Sequence, residues 1–80
     1  MTADQFADVT TETEADAALA AFDDRYPNRV RFLKIAHGSV YSYPEGTICV
    51  QKCDGMILGR GDSKTEAWND FANLQRIIRK

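Results

Sequence analysis

The chain has 80 residues, 44% of them apolar and 28% charged, with a formal charge of −2 and a pI of about 5.2. That is enough chain for one domain with one small core, and no apolar run approaches the roughly 20 residues that span a bilayer. The acidic start carries no basic-then-apolar leader and the acidic balance argues against a general nucleic-acid binder, so a cytoplasmic single-domain protein is the expectation.

Residues 1–10 show no firm period and read as a flexible arm, with Phe6 and Val9 available to tuck against the domain. Residues 11–80 form the domain. Thr11 and Glu14 have capping-box spacing, and Ala15, Leu19, Phe22 and Tyr26 follow on one helical face. A first helix is expected over Thr11–Arg25 and ends before Pro27. Glu12, Glu14 and Asp16 suit the positive end of its dipole, whereas Asp23 and Asp24 stand at the wrong end.

Arg29–Ala36 is rich in β-formers and predicts a first strand. His37-Gly38 reads as a turn, Ser39–Tyr43 as a short second strand, and Pro44-Glu45-Gly46 as a loop. Thr47–Lys52 predicts the next strand, with Ile48 and Val50 on one face and Cys49 on the other. Asp54-Gly55 is the strongest hairpin signal in the chain. Met56–Gly59 follows as a strand, and Gly59-Arg60-Gly61 reads as a corner in which glycine supplies positive φ. Ser63 and Glu66 then form a capping box, and Ala67, Phe71, Leu74 and Ile78 mark the apolar face of a closing helix. The expected architecture is α+β, a two-layer α-β-β-β(-β)-α sandwich with both helices on one face of an antiparallel sheet. The other sheet face is expected to stay wet unless a partner covers it.

The motifs for catalysis are missing. His37 is the sole histidine, and no nucleophile elbow, phosphate loop or dinucleotide fingerprint is present. Cys49 and Cys53 are the only cysteines; in one strand they stand roughly 13 Å apart, beyond disulfide reach, and with His37 they fall short of a zinc set. A non-enzyme without metal or cofactor is expected.

At Gly59-Arg60-Gly61-Asp62-Ser63-Lys64-Thr65-Glu66-Ala67 the chain resembles the double-stranded RNA-binding domain. That family ends its last strand in a G-x-G-x-S-K-K-x-A-K run and has the order αβββα. Gly59, Gly61, Ser63, Lys64 and Ala67 match, and the likeness covers about residues 46–78. It implies phosphate contacts at the start of the closing helix, drawing on Arg60, Lys64 and Lys52. Of the family's three lysines there, Lys64 is kept, with Thr65 and Trp68 at the other two places. The same corner and helix also look like the end of HicB-type antitoxins and of small phage proteins.

Charge is unevenly placed. Residues 1–24 carry seven acids and no base, and residues 25–80 carry five acids and ten bases. Tyr41 and Tyr43, two residues apart on one strand, would share a sheet face beside Arg31 or Lys52 and suit a protein hot spot. Glu12 and Asp16 on the acidic helix and Trp68 at the margin of the closing helix complete that candidate surface, although tryptophan at such a place also serves as packing. The leading expectation is a non-catalytic protein-interaction module, a small phage- or mobile-element-type regulator or anti-CRISPR-like inhibitor acting by covering a partner. Double-stranded RNA binding is the alternative, and a free strand edge leaves pairing with a second copy open.

Overall fold

The computed structural model describes residues 8–25, 29–36 and 43–78. They form helix α1 (Glu12–Arg25), strands β1 (Arg31–Ile35), β2 (Thr47–Gln51) and β3 (Ile57–Gly61), and helix α2 (Lys64–Ile78). The strands make one antiparallel sheet in the order β1-β2-β3. Helix α2 lies along β3 and β2, and α1 packs on α2. The α+β sandwich expected from the sequence is the fold. The expected strand Ser39–Tyr43, the His37-Gly38 turn, and Phe6, Tyr26, Pro27 and Tyr41 fall outside the described residues, except Tyr43, which lies in no regular element.

Both helices begin as their sequences dictate. Thr11 Oγ1 accepts the Glu14 N–H at 3.1 Å, and Ser63 Oγ accepts the Glu66 N–H at 3.2 Å. Each glutamate then reaches one residue beyond the cap: Glu14 takes the Thr10 N–H and Glu66 the Asp62 N–H, both at 2.8 Å. Orphan donors at each start are thereby satisfied. Asp23, at the unfavourable end of the α1 dipole, has a second use: its carboxylate accepts the Val30 N–H at 3.0 Å and ties the end of α1 to the residue before β1.

Asp54-Gly55 makes the β2–β3 hairpin. Lys52 N–H donates to Met56 O, Gly55 N–H to Lys52 O, and the Asp54 carboxylate accepts the Met56 N–H. Gly55 has φ +95°, the left-handed position that closes a three-residue loop.

The core joins Ala15 and Leu19 of α1 to Val30, Val50, Ala67, Trp68, Phe71 and Ala72, with Phe22, Phe32, Ile48 and Leu58 packed against it. Phe22, Trp68 and Phe71 meet edge to face, with centroids 5.0 to 6.4 Å apart. Three expectations need correction. Trp68, a candidate for a partner surface, has no exposed area. The buried face of α2 (Ala67, Trp68, Phe71, Ala72) is rotated roughly 60° from the expected stripe, because α1 packs on its flank; Leu74 and Ile78 are left exposed. Asp8–Thr10 are not a loose arm: Asn69 Oδ1 accepts the Val9 N–H, Asn69 Nδ2 donates to Val9 O, and Arg76 pairs with Asp8 at 2.8 Å.

Gly59 and Gly61 also differ from expectation. Both lie within β3, and neither has positive φ. A Cβ on Gly59 would stand 2.6 Å from the backbone nitrogen of Phe71, and one on Gly61 would collide with Glu66. The glycines are there because α2 rests directly on β3.

Candidate functional site

Strand alternation sorts the sheet side chains into two sets. Phe32, Val50 and Gly59 align across the sheet, as do Lys34, Ile48 and Gly61, and these face the helices. The opposite face carries Ile35 with Thr47, Leu33 with Cys49 and Arg60, and Arg31 with Gln51 and Ile57. An irregularity between Val50 and Gln51 inserts Leu58 as the extra residue of β3.

This far face is not the open wet surface expected. Ile35, Thr47, Cys49 and Gln51 are all buried. Their polar groups are matched: Thr47 Oγ1 donates to Pro44 O at 2.7 Å, and Gln51 Oε1 accepts from Arg31 Nε and Nη2 at 3.4 and 3.2 Å. Burial pushes the Cys49 thiol up, against the opposing pull of the Arg60 guanidinium, so it is not poised as a thiolate.

The exposed chemistry collects at the β3 margin of that face. The Arg60 guanidinium lies over the Tyr43 ring, 4.6 Å from its centroid, a cation–π stack. The Arg60 N–H donates to Asp70 Oδ2 of α2 at 3.0 Å, anchoring the strand beneath its own side chain. Beside the stack is a hollow of about 390 Å³ lined by Tyr43, Asp54, Gly55, Met56 and Ile57. The hairpin turn holds Met56 at its rim, 54% exposed. Tyr43 is half-buried, and its ring forms the floor on which the guanidinium lies.

Tyr43 and Arg60, expected to serve two different partners, thus come together in one corner. Asp16 and Lys64, likewise drawn from opposing readings, neutralise each other: Lys64 Nζ stands 3.2 Å from Asp16 Oδ1 and 5.6 Å from the Phe32 ring centroid. Lys64 is therefore on the helix side of the sheet and Arg60 on the other. Lys52 sits half-buried at the base of the hairpin, and Glu12 is exposed in the first turn of α1, remote in sequence and element from the corner. Met56 and Ile57 were not singled out from sequence. The available signal was a large apolar residue directly after an Asp-Gly turn, where the hairpin has no strand left to cover it.

Among the described residues, no group of three histidine, cysteine, aspartate or glutamate side chains is placed to hold a metal ion, and no helix is long and apolar enough to cross a membrane. No family model, curated protein or solved structure matches the chain.

Proposed function

We propose that this protein is a non-catalytic protein-interaction module whose contact surface is the Tyr43–Arg60 corner and the hollow beside it. The observation that carries this reading is the stack itself. A guanidinium laid on a tyrosine ring at 4.6 Å, next to an exposed methionine, combines residue types that concentrate binding energy at protein interfaces. The two side chains already rest on each other, which lowers the ordering cost of meeting a partner there. A regulator or inhibitor that acts by covering a partner's surface is the function such a corner serves.

The RNA reading has the element order α-β-β-β-α in its favour. Against it, Arg60 and Lys64 point to opposite sides of the sheet and Lys64 is matched by Asp16. Duplex affinity scales with phosphates neutralised together, and divided cations do not add.

The test compares capture by the wild-type chain with capture by Tyr43→Ala and by Arg60→Gln, from a lysate of the cells that make the protein. Captured proteins are identified by mass spectrometry and confirmed by direct titration. Loss of the same partner from both variants, at unchanged far-ultraviolet CD, is expected. An unchanged captured set would remove the corner from the account.

A further inference from the structure

We infer that the ligand of the Tyr43–Arg60 corner is an acidic peptide segment of a partner protein, with a carboxylate meeting Arg60 and a neighbouring apolar side chain entering the hollow edged by Met56 and Ile57. This rests on the interaction reading above and adds the chemistry of the partner.

The charges of the far face point that way. Its strand positions carry two guanidiniums, Arg31 and Arg60, and no carboxylate. Arg31 is engaged, since Nε and Nη2 both donate to Gln51 Oε1. The Arg60 side chain makes a different contact: its face lies on Tyr43, and no carboxylate of the described residues pairs with it. A guanidinium stacked by its face keeps its edge donors directed outward, in the fork geometry that matches a carboxylate bidentately. Asp54, the acid among the described lining residues, is anchored in the turn, where it accepts the Met56 N–H at 3.1 Å. It keeps its charge, so the carboxylate of the peptide meets Arg60 and the apolar side chain takes the hollow. Cys49, buried and directly opposite Arg60 on β2, backs the corner on its inner side.

The rest of the hollow selects against nucleic acid. Among the described lining residues the aromatic one is Tyr43, and Arg60 already covers a face of that ring. A base stacking on that face would have to displace the guanidinium that its phosphate needs. Met56 and Ile57 instead offer an aliphatic wall, and methionine adapts to differing apolar side chains.

The experiment titrates the full chain into fluorescein-labelled peptides and follows anisotropy. The probes are a glutamate/leucine peptide, its glutamine/leucine and glutamate/serine counterparts, and an oligouridylate. Binding of the glutamate/leucine peptide is expected, weakened about tenfold by Arg60→Gln, which removes one charge-assisted hydrogen-bonding group. Arg60→Lys is expected to recover only part of that loss, because it restores charge without the fork. Either counterpart peptide is expected to bind more weakly than the parent. Equal binding of the glutamine/leucine peptide, lost in Tyr43→Ala but untouched by Arg60→Gln, would overturn the acidic partner while leaving the corner as a docking site. No peptide binding, or binding indifferent to Tyr43→Ala, would sink both readings. Oligouridylate binding that Arg60→Gln abolishes would replace the peptide with a nucleic acid.

Discussion

Replacing Gly59 by alanine is expected to cost more stability than any change at an open glycine. The added Cβ would lie 2.6, 2.7 and 2.8 Å from the N, Cβ and Cα of Phe71, where ordinary contact begins at 3.4 Å. Those atoms belong to the α2 backbone or are fixed to it, so no side-chain rotation relieves the clash. The helix must back away from β3 by about 0.6–0.8 Å, and a gap of that size forfeits roughly a quarter to a half of each dispersion well it opens. Val50, Ala67 and Phe71 all lie in the layer so loosened. Overpacking of this kind costs about 1–3 kcal/mol, and a clash with backbone belongs at the upper end, about 3 kcal/mol. At about 4–8 °C per kcal/mol for a domain of this size, Gly59→Ala should lower Tm by about 12 °C or more. Thermal CD and urea titration followed by Trp68 fluorescence give the number, with an unchanged m-value as the sign that two-state unfolding persists. Gly46→Ala is the control: nothing lies within 4 Å of its Cβ, but its φ of +89° strains an L-residue by about 1–2 kcal/mol. A Gly59→Ala protein that melts within a few degrees of wild type, or no lower than Gly46→Ala, would refute the close-approach account.

Asn69→Ala removes both hydrogen bonds to Val9 and should cost about 1–3 kcal/mol; native-state hydrogen exchange should quicken at Val9, and unchanged protection there would contradict the clamp. Glu14 is held below its ordinary carboxyl value of 4.5, first by the Thr10 N–H and then by the Thr10 hydroxyl. Its folded value being the lower one, the contribution is present above that ordinary value and lost as pH falls through the folded value. An NMR titration should place the Glu14 midpoint below 4.5 and move it up in Thr10→Val; a midpoint at or above the ordinary value would refute the contact. Cys53 is exposed and Cys49 buried with its thiol pushed up, so iodoacetamide at neutral pH should give a single adduct on Cys53 and a second only in denaturant. Equal labelling rates by mass spectrometry would show the sheet face to be open.

Much of the fold is legible because its signals are local. Capping boxes, the Asp-Gly turn and the spacing of Ala15, Leu19 and Phe22, or of Ala67 and Phe71, are settled within a few residues. What the sequence hides depends on where a second element comes to rest. Gly59 and Gly61 announce only the lack of a Cβ, which serves a positive φ and a close approach equally well; the position of α2 decides between them. Trp68 looks marginal when α2 is judged against the sheet alone, and becomes central once α1 packs on its flank beside Phe22. Asp23 looks misplaced by the dipole rule until the Val30 amide is seen to donate to it. At the candidate site, Tyr43 and Arg60 lie 17 positions apart in the sequence and suggest different partners, and only the tertiary fold stacks one on the other.

The same contacts change the meaning of the acidic front. Its charge suggests a long-range field, yet Asp8 is matched by Arg76 and Asp16 by Lys64. Two of the seven acids are thus offset inside the molecule, and the net charge is −2. The proposed acidic partner would gain no steering from a protein of net charge −2, and its association should fall in the unsteered range of about 10⁵–10⁶ M⁻¹s⁻¹. Affinity must then come from how long the complex lasts, through one oriented guanidinium and an apolar side chain lodged beside it. Arg60→Gln should accordingly raise the dissociation rate and leave the association rate nearly unchanged in stopped-flow traces. A loss confined to association would mean that Arg60 acts as a point charge at a distance, and that its stacking on Tyr43 has no part in recognition.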